Sequence, residues 1–169
     1  MLIDIPYKSK SKKESFRLRR WHSVVNFDEF WSLILEYRPK GTLWLKQEAF
    51  IVAFAVSDIN WASYFIRLAR LLGLKDSGIR SIQLQNNHVF MDVTSTEKMH
   101  VPISDNVHGI LISENYGRYL LSLANSLLLR TKRRLKKFYN AMSILLNEIT
   151  RNSKFDPNEI GFTIFREII

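Results

Sequence analysis

The sequence predicts an α+β fold: a single mixed, mainly antiparallel sheet with packed helices, one of them long and basic. Three observations lead there. Helical and strand patterns follow one another in the order β-α-ββ-α-β-β-β-α, without the strict alternation of a doubly wound sheet. No G-x-G-x-x-G follows the first strand, and no acidic residue sits at a ribose-binding position of a βαβ unit, so the pattern is not that of a doubly wound Rossmann fold. The 169 residues are 46% hydrophobic, enough for one core in a single domain spanning residues 1–169.

The elements follow in order. Leu2, Ile3 and Ile5 form a short strand that Pro6 ends. Residues 8–20 (KSKSKKESFRLRR) lack a period and read as a mobile basic loop. Asn26 or Asp28 caps a helix running to about Tyr37, with Phe27, Phe30, Trp31, Ile34 and Leu35 on its inner face. Arg38, Pro39, Lys40 and Gly41 stop it. Residues 42–48 and 50–56 read as two strands or one long bent one. Ser57 is expected to cap a second helix to Leu72, with Ile59, Phe65, Ile66, Ala69 and Leu72 inward and Gly73 closing it. Residues 79–84 and 89–93 read as a hairpin, and 99–103 and 109–112 as short strands.

The longest helix starts at Ser113 and runs to about Asn147, with Leu120, Ala124, Leu127, Leu135, Phe138, Met142 and Leu145 as its apolar stripe. It holds no acidic residue from Asn115 to Asn147, but it carries Arg118, Arg130, Lys132, Arg133, Arg134, Lys136 and Lys137. Residues 150–169 are a C-terminal extension, a last strand or a tail.

Charge narrows the partners. The net charge is +9 and the pI about 9.9, which points to a polyanion, most often nucleic acid; simple solubility and an anionic membrane surface are the alternatives. No apolar run approaches the roughly 20 residues that span a bilayer, so no membrane partner is expected and the protein reads as cytoplasmic. With no cysteine in the chain, disulfides, thiolate metal sites and a cysteine nucleophile are excluded. His22, His88, His100 and His108 show no metal-binding spacing, so no metal is expected. Neither G-x-S-x-G nor a P-loop occurs.

Two stretches invite a chemical reading. In a strand, Trp44, Lys46 and Glu48 share one face. That face is either a cleft floor, where the aromatic holds a base and the charged groups orient it, or an exposed sheet face with a Lys–Glu ladder. Trp21 and Trp44 lie near basic residues, as base stacking requires, or are wall residues of a core. The second stretch is residues 72–82 (LGLKDSGIRSI), where Ser77 and Gly78 belong either to a turn or to a ligand-binding backbone.

Several segments together resemble the tRNA wybutosine-synthesizing protein 3 family. They are Trp21-His22, residues 40–44 (KGTLW), Glu48 with Phe50, residues 73–79 (GLKDSGI), Ser95-Thr96, Val101-Pro102 and residues 136–139 (KKFY). The resemblance covers about residues 1–145. It implies an S-adenosylmethionine-dependent methyl transfer to N4 of a demethylwyosine-type tricyclic guanine at position 37 of phenylalanine tRNA. By position it implies that His22, Lys46 and Glu48 are catalytic. It likewise gives Ser77, Gly78 and Ser95 to the methyl donor. Trp21, Trp44, Arg130, Arg133, Arg134 and Lys137 would meet RNA or its base.

The chain departs from the family pattern in several places. The family's Ser-Ser-Cys-Ser-Gly-Arg segment before the first strand is not in this sequence. Thr94 stands where an arginine is expected, His100 where an acid is, and Ala49 where a proline is. The alternative expectation is therefore a truncated fragment of the enzyme or a non-catalytic RNA-binding paralogue.

Overall fold

A computed structural model describes residues 1–6, 14–86 and 88–151. The elements are β1 (Leu2–Pro6), β2 (Phe16–Arg19), α1 (Phe27–Glu36), β3 (Gly41–Gln47), β4 (Ile51–Val56), α2 (Ile59–Leu71), β5 (Gly78–Gln83), β6 (His88–Thr94), β7 (Met99–Asp105), β8 (Gly109–Ile110) and α3 (Glu114–Arg151). They belong to two compact units. One holds Met1–Glu48 and Glu97–Arg130; the other holds Ala49–Thr96 and the chain from Thr131.

The α+β class holds, but the strands form two sheets rather than one mixed sheet. The first unit has the order β2-β1-β3-β7-β8 and the second β4-β6-β5, and every pairing is antiparallel. The cause lies at residues 48–50. There β3 and β4 separate, β3 pairing with β1 and β7 while β4 pairs with β6. Phe16–Arg19, expected inside a loop, instead pair with β1. Residues 8–13 of that loop, and the C-terminal extension beyond Arg151, lie outside the described residues.

In the first unit, Asn26 caps α1 by accepting the Glu29 N–H at 2.8 Å, and Asp28 and Glu29 complement the dipole of the first turn. Phe30 and Ile34, four residues apart, enter a core with Leu2, Leu43, Leu45 and Ile103. Leu35, expected on the same face, is exposed. Gly41 is required by close approach, because a Cβ there would lie 2.1 Å from the Ile5 carbonyl oxygen. Beside it the buried Asp4 carboxylate accepts the Tyr37 hydroxyl at 3.0 Å and the N–H groups of Lys40 at 2.7 Å and Gly41 at 3.1 Å.

In the second unit, Asp58 caps α2, taking the N–H groups of Asn60 and Trp61; Ser57 instead bonds the Asp58 side chain. Asp wins because its carboxylate lies one residue nearer the first free amides and carries charge. Tyr64, Phe65 and Leu68 of α2 pack with Val89, Met91 and Val93 of β6 and with Phe138, Ala141 and Leu145 of α3. Ile59 and Leu135 are exposed instead. The closing of α2 is as expected. Gly73 has φ +81°, its N–H reaches the Arg70 carbonyl, and the Leu74 N–H reaches that of Ala69, a Schellman motif.

Candidate active site

The outer face of the first sheet carries one cluster. Along β3 the side chains alternate, with Leu43 and Leu45 buried and Trp44 and Lys46 half-buried on the other side. Antiparallel pairing sets Pro102 opposite Trp44 and His100 opposite Lys46, which brings these four to one face. The Lys46 ammonium lies 5.8 Å from the Trp44 ring centroid. Just beyond the strand, Glu48 Oε1 is 3.1 Å from His100 Nε2. His100 was missed as a partner of Glu48. Only strand register reveals it, and 52 residues separate the two in sequence.

The other expected residues of this unit sit differently. Trp21 is held by its indole N–H, which donates to Glu29 Oε1 at 2.7 Å, so its ring is fixed against α1. His22 is exposed and makes no hydrogen bond or ion pair among the described residues.

The second unit gathers Ser77, Gly78, Ser95, Thr96 and Arg134. Ser77 is buried, and its hydroxyl oxygen accepts the Thr94 N–H at 3.1 Å, leaving the hydroxyl proton to donate. A Cβ on Gly78 would meet nothing within 4 Å, so there is open space beside that backbone. Ser95 is fully buried and its Oγ has no hydrogen-bond partner. An unsatisfied buried hydroxyl is costly and marks a place where a polar ligand would be welcome. Arg134, expected to meet RNA, donates to Thr96 Oγ1 at 2.9 Å, and its guanidinium lies 3.7 Å from where a Gly73 side chain would begin. That is an ordinary contact distance, so the requirement for Gly at position 73 comes from its φ of +81° rather than from the room Arg134 needs.

Along α3, Arg130, Lys132, Arg133, Lys136 and Lys137 are exposed and unpaired among the described residues. Arg118 differs. It bonds Glu114 at 2.7 Å and covers the Phe27 ring at 3.8 Å. No helix among the described residues is long and apolar enough to cross a membrane.

Fold and site together define a class: an α+β protein of antiparallel sheets, without a Rossmann core, bearing an aromatic and charged sheet face and a cationic helix. Residues 5–144 match the family model described as Methyltransferase TYW3, and the chain belongs to that methyltransferase family. It is 29% identical over 144 residues to the tRNA(Phe) 7-((3-amino-3-carboxypropyl)-4-demethylwyosine(37)-N(4))-methyltransferase of Methanocaldococcus jannaschii, an alignment covering 85% of this chain and 72% of that relative. It is 31% identical over 128 residues to methyltransferase 1 of the same description from Pyrococcus furiosus, covering 76% of this chain and 63% of the relative. The structure of PH1069 from Pyrococcus horikoshii superposes with a TM-score of 0.71 at 28% identity, over 80% of this chain and 67% of that one. A hypothetical protein from Aeropyrum pernix shares the fold, with a TM-score of 0.66 at 21% identity.

Proposed function

We propose that this chain transfers a methyl group from S-adenosylmethionine to N4 of a demethylwyosine-type base at position 37 of phenylalanine tRNA. The match of residues 5–144 to a methyltransferase family carries this reading. The Trp44–Lys46–Glu48 face and the open backbone at Gly78 support it. With tRNA as substrate, the reading sets the protein in the cytoplasm.

The residues present fit the donor. Ser95 Oγ lacks a partner, the Ser77 hydroxyl keeps a proton to donate, and the Gly78 backbone has open space beside it. These three would hold it. When bound, S-adenosylmethionine supplies an electrophilic methyl on a sulfonium. Trp44 presents a half-exposed ring on which the tricyclic base stacks, a sequence-tolerant contact worth about 1–3 kcal/mol. Lys46, beside that ring, holds the base or a flanking phosphate. Glu48 sets the polarity of the same face. The exposed cations of α3 hold phosphates and so orient the tRNA, which matters because an in-line transfer depends on alignment.

The test is incorporation of labelled methyl into phenylalanine tRNA that carries the demethylated base, with unmodified tRNA as control. Transfer to the first substrate alone is expected. Tight tRNA binding without transfer would leave only an RNA-binding module.

A further inference from the structure

We propose that His100 accepts the proton that methylation displaces from N4, with Glu48 as the group that positions it; the inference rests on the function just proposed. Methylating a demethylated N4 replaces N–H by N–CH3. The methyl carbon exchanges its bond to sulfur for a bond to N4, the old bonding pair stays on sulfur, and the sulfonium charge is cancelled there. The N–H pair remains on nitrogen, so one proton must go to a base.

The sheet face offers few acceptors. The Lys46 ammonium has donors only, and the Trp44 indole is a donor only. Glu48 has its Oε1 turned to His100 Nε2 at 3.1 Å. An ionised carboxylate only accepts, so Nε2 carries the hydrogen and the lone pair falls on Nδ1. That is the arrangement in which a carboxylate fixes the imidazole tautomer and then stabilises the imidazolium once the other nitrogen takes a proton. His100 is 41% exposed through its side chain, so a substrate can reach it.

Register puts His100 at the right place. It pairs with Lys46 and Pro102 pairs with Trp44, so the imidazole stands two residues along the strand from the stacking ring. Two residues of strand span roughly 7 Å, the breadth of a tricyclic base lying on Trp44. Among the described residues of this unit, the Glu48 carboxylate reaches His100, Lys46 stands directly across from it, and Lys98 lies two residues before it. β8 pairs only with Ser104 and Asp105, so it brings nothing to His100.

His100→Gln and His100→Ala lie on an exposed strand face and are expected to fold. Each should lower kcat by about 10²-fold or more, with the KM for tRNA and the affinity for the donor within about threefold of wild type, since no binding contact is removed. Added imidazole should restore part of the rate in His100→Ala and none in His100→Gln. Glu48→Gln should lose about tenfold and should abolish the preference for the Nε2–H tautomer, read by ¹⁵N NMR of the His100 ring without substrate or donor. A His100→Gln variant methylating within threefold of wild type would overturn the proposal while leaving the methyltransferase reading intact. So would an Nδ1–H tautomer in the wild type. A wild-type chain that transfers no methyl overturns both.

Discussion

Asn125 closes both backbone polar groups of Val25, donating from Nδ2 to the carbonyl at 2.9 Å and accepting the N–H on Oδ1 at 3.1 Å. The pair joins positions 100 residues apart and ties the segment that leads into α1 to the first half of α3. Asn125→Ala leaves a donor and an acceptor without partners and should cost about 2 kcal/mol. Asn125→Asp keeps the acceptor alone and should fall between. Urea midpoints of the three proteins check this, and an unchanged midpoint in Asn125→Ala would contradict it.

Two glycines should respond in opposite ways. Gly41→Ala drives a methyl into the Ile5 carbonyl and the Pro6 Cα, so it should destabilise by about 3 kcal/mol or more. Gly78→Ala meets open space, and its thermal midpoint should stay within a degree or two of wild type. If the donor approaches this backbone, the same variant should bind S-adenosylmethionine at least tenfold more weakly in calorimetric titration. Unaltered binding would remove Gly78 from the site.

Alkaline stability should report the Tyr37–Asp4 contact. Burial, with the hydrogen bond to Asp4, pushes the Tyr37 hydroxyl up to about 12. Its pKa is raised in the fold, so its contribution is complete below the unfolded value near 10 and is lost as pH rises towards 12. The stability gap between wild type and Tyr37→Phe should therefore shrink across pH 10–12. A gap that stays constant would contradict the assignment.

The cations of α3 give a salt-dependent prediction. Arg130, Arg133 and Lys137 stand three and four residues apart and share one side of the helix. Replacing all three by Ala should weaken tRNA binding and reduce the slope of log affinity against log salt by about 2–3, if each neutralises one phosphate. An unchanged slope would move the tRNA to another surface.

Much of the fold was legible because local signals were strong. Asn26, Gly73 and Ser113 marked helix ends, and the alternation of Leu43, Trp44, Leu45 and Lys46 marked a half-buried strand. The division into two sheets was not legible, because strand partners are chosen across long separations and residues 48–50 look like any bend. Ser57 and Asp58 are adjacent cap formers, and only the bonds to Asn60 and Trp61 separate them. Phe16–Arg19 showed no clear period and reads as loop until β1 offers an edge to pair with. In the candidate site, Trp44 and Lys46 lie side by side as strand alternation reads them, and Glu48 stands just beyond the strand end. His100 was not joined to them, since register is a tertiary property. Arg134 looked like one more surface cation; its bond to Thr96, 38 residues away in sequence, is a tertiary contact that no local pattern shows.

The most direct measurement is methyl transfer itself. Purified protein, labelled S-adenosylmethionine and phenylalanine tRNA carrying a demethylated tricyclic base are incubated together, and the nucleosides are then resolved by mass. A product heavier by one methyl at position 37 is expected, with none on tRNA whose guanine is unmodified. Stoichiometric tRNA binding with no mass change at that nucleoside would contradict it.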